Sequence, residues 1–419
     1  MAWGPVLLAT VVGTASIDAG QDEVTPVATT VRSTTEHYEV RLQGTAEEAA
    51  LFGKLLELAW PTYRDFFRAE PRLSGGKRLL VRIFASREAC LDGAMDDHAD
   101  MPPSQHPAWF SAKNGTVYLY RHTSDWFTRY LALYGACLQF HGHAKPKNRD
   151  LDTWYTHGIA ESFAVHSFDG EKLELGTSPS VCWMDHPARA MAELGGKRLG
   201  LDPFDESRME NASVRWALTR FAIQGAKGRY RGRFDKLALG LSGSKVTGFD
   251  FLRSLGKEEQ ITEEFSVWLL SNQMPMTAVL PDWQSFPDGR IVAKPAQDGL
   301  ALCVLKEGFT SIEATVEFDA AKATPGIILS LQDQWNYAVA RIVPPLAFVD
   351  HVLDGKRRSL GSTPAEAKGG KLRFKVSGEG GVIELTIGDR TSPPIGLPSG
   401  RIGLACLEGE VTFRDLRWR

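Results

Sequence analysis

Apolar positions change period twice along this chain, and the changes divide it into three stretches. Residues 37–42 alternate apolar and polar like a half-buried strand, and residues 46–68 then repeat at helical spacing. Leu51, Leu55, Leu56, Ala59, Tyr63, Phe66 and Phe67 form one side of that predicted helix. A short strand at 79–84 and a short helix at 86–95 follow, and Lys113-Asn114-Gly115 between two aromatic-rich runs predicts a hairpin. From 124 to 273 the pattern is helical, with segments at 125–143, 153–167, 186–194, 212–224, 229–241, 249–255 and 261–272. Beyond Met274-Pro275-Met276 the period becomes two, in runs at 291–293, 300–305, 311–318, 326–331, 337–343, 372–377, 382–387, 401–407 and 411–418. Short strands parted by Gly, Pro and Asp turns predict an antiparallel sandwich. The reading is multidomain: a leader over 1–33, an α+β unit over 34–273 and an all-β unit over 274–419.

The 419 residues are 43% hydrophobic and 24% charged, enough for packed cores and unlike a disordered chain. A net charge of −3 leaves no cationic excess for a phosphate backbone, so nucleic acid is not expected as a partner. The KGRYRGR run at 227–233 reads as a solvated helix start. Five widely spaced cysteines contain no C-x-x-C pair; Cys303 and Cys406 lie in strand-like runs and are read as buried thiols, or as a pair in an oxidising compartment. Residues 5–15 are apolar over the length of an export signal but lack a preceding Lys or Arg, which predicts a secreted or periplasmic protein on a weak signal. No segment has the length of a membrane span.

The run Trp154-Tyr155-Thr156-His157-Gly158-Ile159-Ala160-Glu161, a dozen residues after the helix at 125–143, resembles the W-L-N-E-G-x-A-E motif of gluzincin zinc peptidases. With the preceding sheet and the helical stretch, it makes residues 34–273 similar to the secreted peptidase-MA-like family. That resemblance implies an H-E-x-x-H helix, with two ligands sharing one face and a glutamate moving the proton of a zinc-bound water. Anchored on Gln139-Phe140, the five motif positions are Tyr134, Gly135, Ala136, Cys137 and Leu138, and His157 stands where the third ligand belongs. Both imidazoles and the general base are missing from these positions. The resemblance therefore implies a pseudoenzyme without cofactor that binds a peptide or protein, with Trp154, His157 and Glu161 in its cleft. Tyr118 and Tyr120 would lie on a hairpin edge to which an extended peptide adds as a strand.

His122, His141, His143, His157 and His166 crowd this region. They read either as hydrogen-bonded or surface histidines, or, for His141, His157 and Glu161, as a relocated zinc site that would make the protein a metallopeptidase. Cys137 falls in a core-facing run and reads as a packed thiol rather than a nucleophile. The β-rich part resembles the concanavalin-like, laminin-G-like jelly rolls through residues 309–318, 325–329, 400–404 and 411–416. Trp335 and Tyr337, with Phe348, His351 and Asp333 close in sequence, are candidates for stacking on sugar rings, or else fill the core. Glu313 and Glu317 are spaced for one strand face, and no E-x-D-x-x-E run supports glycosidase chemistry. The alternative to a pseudopeptidase is thus a carbohydrate hydrolase or carbohydrate-binding protein acting from the sandwich, and a third reading is a pure scaffold.

Overall fold

The computed structural model describes residues 29–419 apart from 74, 101–106, 123, 146–152, 178–185, 195–210, 241–250, 252–253, 273–275, 279–282, 287, 296–299, 307–309, 334 and 380. The apolar run at 5–15, Cys182 and part of the expected helix at 249–255 lie outside the described residues.

The first unit opens with β1 (Thr30–Thr34), β2 (Tyr38–Gln43), α1 (Ala46–Phe67), β3 (Leu79–Phe84), α2 (Arg87–Asp96), β4 (Ala108–Ser111) and β5 (Thr116–Tyr120). Its sheet runs β1-β2-β3-β5-β4, with β2, β3 and β5 parallel and an antiparallel strand on each edge. Most of β1 falls in the stretch read as leader. Its side chains are polar or half-exposed and carry no core face, so alternation gives no sign of a strand. The start of α1 is set by a capping box: the Thr45 hydroxyl accepts from the Glu48 amide at 3.2 Å, and the Glu48 carboxylate accepts from the Thr45 amide at 2.9 Å.

The helices that follow are α3 (Asp125–Ala144), α4 (Thr153–Ala164), α5 (His186–Glu193), α6 (Ala212–Gly228), α7 (Arg231–Gly240) and α8 (Glu258–Ser271). Helix α3 lies close on the sheet, because a Cβ at Gly135 would come within 2.4 Å of Val117 Cγ1 on β5. Helix α4 crosses α6 just as closely: a Cβ at Gly158 would lie 2.3 Å from Thr219 Oγ1 and 2.9 Å from the Arg215 carbonyl oxygen. The expected helix at 153–167 stops three residues early, since His166–Phe168 pairs as β6 with β7 (Leu173–Leu175). Turn chemistry decides this: the Asp169 carboxylate accepts from the Glu171 and Lys172 amides at 2.9 and 2.7 Å. One apolar core joins sheet and helices, from Tyr38 to Leu269.

A separate core, from Met276 to Phe413, belongs to the second unit. Its strands are β8 (Met276–Ala278), β9 (Trp283–Ser285), β10 (Ile291–Ala293), β11 (Ala301–Leu305), β12 (Ser311–Phe318), β13 (Thr324–Asp333), β14 (Asn336–Val343), β15 (Leu346–Leu353), β16 (Lys356–Pro364), β17 (Lys371–Glu379), β18 (Val382–Ile387), β19 (Arg390–Thr391), β20 (Ile395–Gly396), β21 (Arg401–Glu408) and β22 (Val411–Trp418). Two antiparallel sheets, β19-β18-β17-β12-β22-β10-β9 and β16-β15-β14-β13-β21-β11-β8, face each other across this core as a jelly-roll β-sandwich. Cys303 and Cys406 are both buried free thiols on neighbouring strands. The sequence reading finds neither β15 nor β16. Pro344-Pro345, directly after the predicted run 337–343, joins β14 to β15, and β16 is exposed along nearly its whole length, with no apolar face to mark it.

Candidate functional site

Helices α3, α4 and α6 bring together the residues that occupy the expected metal positions. Tyr134 on α3 and His157 on α4 meet directly, with hydroxyl and Nδ1 2.5 Å apart. Glu161, one turn beyond His157, turns instead to α6, where Arg215 Nη2 donates to its Oε1 at 2.5 Å. Both side chains are almost inaccessible, at 3% and 6% exposure. Burial pushes the Glu161 carboxyl up to about 7 against the pull of Arg215. Burial also raises the Tyr134 hydroxyl far above its ordinary range, and the nearby Glu161 adds to this. Beside this pair, His186 links the Tyr130 hydroxyl at 3.3 Å to the Ser213 hydroxyl at 3.0 Å and stacks on Trp216.

These residues do not fit a catalytic zinc. Leu138, at the second imidazole position, packs against the core, and Gly135 has no side chain where the general base belongs. The relocated set is not assembled either. His141 packs between Phe67 and Tyr155, while His157 meets Tyr134 and Glu161 meets Arg215. Helix α3 continues to Ala144, so His143 points elsewhere, toward Phe110. His166 stacks on Trp126 and His122 on the edge of Phe127. Among the described residues no three His, Cys, Asp or Glu side chains are grouped to hold a metal ion. Cys137 is buried, and burial raises its thiol far above the range of a nucleophile.

The hairpin residues require a correction. Strand β5 is paired on both sides, by β3 and β4, so Tyr118 and Tyr120 do not form a sheet edge; the hairpin edge is β4. Tyr118 is fully buried, donating to Asp97 Oδ2 at 2.8 Å and accepting from Asn114 Nδ2 at 2.7 Å. Tyr120 packs partly buried over the cluster around Phe84. Trp154 is equally unavailable to a ligand, being buried and stacked on Phe251 at 5.4 Å.

On the sandwich the two aromatic candidates separate. Tyr337 is buried in an apolar cluster on the outer face of the second sheet, with Val339, Val352 and Ile328. Trp335 is 59% exposed at the turn between β13 and β14. Its backbone is hydrogen-bonded on both sides: Asp333 Oδ1 accepts from the Trp335 and Asn336 amides at 2.7 and 2.9 Å, and the Trp335 carbonyl accepts from the Gly355 amide at 3.1 Å. The indole rests against Gly355, where a Cβ would lie 3.6 Å from Cε3. Alongside, Asp350 Oδ2 accepts from Arg341 Nε at 3.0 Å and faces Arg357 Nε at 3.8 Å, while Arg341 stacks over Phe348. The sequence reading missed Arg215, Arg341, Asp350 and Arg357; the one visible sign was an aspartate inside the apolar run 346–353. Glu313 and Glu317 line the opposite sheet's outer face, paired with Arg373 at 2.8 Å and with Lys371 and Arg414 at 2.6 and 3.0 Å. They form a charge ladder rather than an acid and base across a cleft.

No family model matches this sequence. No curated protein matches it either. Among solved structures, the chain is similar to the carbohydrate-binding module CBM66 of Bacillus subtilis, at 16% identity over 35% of this chain and 95% of that one, with a TM-score of 0.29. It is similar to the GH43 protein BlXynB of Bacillus licheniformis at 15% identity over 33% of this chain and 34% of that one, TM-score 0.26. It is also similar to sheep galectin-11 at 10% identity over 29% of this chain and 96% of that one, TM-score 0.23.

Proposed function

We propose that the protein binds a saccharide through its sandwich, without hydrolysing it, and that its first unit is a gluzincin-like domain whose catalytic site has been replaced by a closed polar network. The observation that carries the saccharide reading is Trp335: a large aromatic face, exposed, yet fixed by its own turn and by the Gly355 backbone. Sugar rings stack on such faces, and a platform already held in place loses little conformational freedom when it binds. For the first unit, the support is the contact between Tyr134 and His157, the two positions at which a gluzincin's ligands would converge.

The test is binding of the full chain to a panel of soluble polysaccharides by affinity electrophoresis. A retained species is expected, with retention lost in Trp335→Ala while the thermal midpoint stays put. Retention that survives this substitution would refute the role of Trp335. A second reading keeps the peptide partner but moves it to β4, the hairpin edge that no described strand covers. Peptide capture abolished by Phe110→Pro, with saccharide retention intact, would support it.

A further inference from the structure

Trp335 does not stand alone on its face of the sheet. The register across β14, β15 and β16 sets Tyr337 beside Val352 beside Arg357, and Val339 beside Asp350 beside Ser359. Since Ala338, Ala340 and Ile342 point into the core shared by the two sheets, alternation places Tyr337, Val339 and Arg341 together on the outer side, and Trp335 stands in the turn at the end of that row, its indole against Gly355. Gly355, under the indole, is two residues before Arg357 on β16. The Cα of Arg357 therefore lies at most roughly 7 Å from that of the glycine under the indole.

The carboxylate in this group is already satisfied. Asp350 is 1% exposed, and the 3.0 Å bond from Arg341 supplies the partner that a buried carboxylate requires. Arg357 is different: its side chain is 51% exposed, it reaches Asp350 only at 3.8 Å, and among the described residues no acceptor lies within hydrogen-bond distance of it. A planar fork of donors thus faces solvent beside the indole. On this face the cations are Arg341 and Arg357, since the register sets Lys356 beside Leu353 and Arg358 beside His351, on the other side of β16. Asp333 is engaged by its own turn, through the Trp335 and Asn336 amides and Asn336 Nδ2.

We infer that the ligand of this face is an anionic saccharide, whose ring stacks on Trp335 and whose carboxylate or sulfate is received by Arg357. The inference rests on the saccharide reading above and adds its charge class. Arginine binds a carboxylate or a sulfate by paired charge-assisted hydrogen bonds, and a fork free of other acceptors is poised to do so.

The experiment uses the full chain and two matched pairs of probes: oligogalacturonate against its fully methyl-esterified form, and dextran sulfate against dextran, by titration calorimetry. At least one anionic member should bind about tenfold or more tighter than its neutral counterpart, an advantage that shrinks as salt rises. Arg357→Gln should remove most of that preference with the thermal midpoint unchanged, and Arg357→Lys should keep only part of it. Preference for the carboxylate pair or for the sulfate pair identifies the group received. Equal binding of charged and neutral members, still dependent on Trp335, would overturn the anionic inference and leave the saccharide reading standing. Binding of no probe would overturn both. A preference unchanged in Arg357→Gln would show that it arises from general charge, and would refute the role of Arg357.

Discussion

Glu161 was legible as a residue of interest from its place in the second motif, but its partner was not. Arg215 lies 54 residues away on another helix, and only the close crossing of α4 over α6 brings the two together. Breaking a buried pair leaves a charge without compensation, so Arg215→Met should cost about 3–5 kcal/mol in urea denaturation, with Glu161→Leu added to it recovering a large part. The buried histidines set the pH response. Burial pushes His141 down to about 4, with Lys145 adding to it, and His166 and His186 down to about 3, with Arg129 and Arg189 adding. Each therefore contributes stability above the ordinary histidine range that is lost as pH falls toward 4. Glu161, raised to about 7, works the other way: its contribution is complete below the ordinary carboxylate range and is lost as pH rises through 7. Burial lowers His122 as well, so four histidines stand against one carboxyl and the unfolding free energy rises between about pH 4.5 and 6.5. In Glu161→Gln that rise should steepen, by at most about 1.4 kcal/mol per pH unit.

At the scale of elements, what the sequence disclosed depended on which side chains face a core. The predicted runs at 311–318, 382–387 and 411–418 coincide with β12, β18 and β22, because each alternates between core and solvent. Strands β1 and β16 escaped because they are edge strands whose order comes from backbone pairing to a neighbour. The helix starts were better marked, as at α1, where Thr45→Ala should cost about 1 kcal/mol by removing the cap. Contacts between helices leave less trace. Gly158 matched a motif letter, but its physical role is the approach of α4 to α6, so Gly158→Ala should destabilise by about 1–3 kcal/mol through overpacking, read as a lower denaturation midpoint. Gly135→Glu, which restores the letter of a general base, should lower stability without conferring peptidase activity, since its Cβ would press on Val117.

Among the described residues, polar contacts join the two cores. Gln284 Nε2 on β9 donates to the Phe168 carbonyl at 2.6 Å, Arg129 on α3 donates to Gln284 Oε1 at 3.3 Å, and Arg290 faces Asp169 at 3.8 Å. Separate cores should unfold separately, giving two transitions in differential scanning calorimetry, with Gln284→Ala moving them further apart. The two cores lie on either side of residue 274, where the period of the apolar pattern changes, whereas Arg129, Gln284 and Arg290 carried no sign in the sequence of the contacts they make. Cys90 and Cys137 lie buried in the first unit, Cys303 and Cys406 in the second, with burial pushing the Cys90 and Cys406 thiols up to about 12. A thiolate-selective reagent can reach any of the four only when the surrounding structure opens. The rate at which each is alkylated in the native protein is therefore a clock for the opening of its own half.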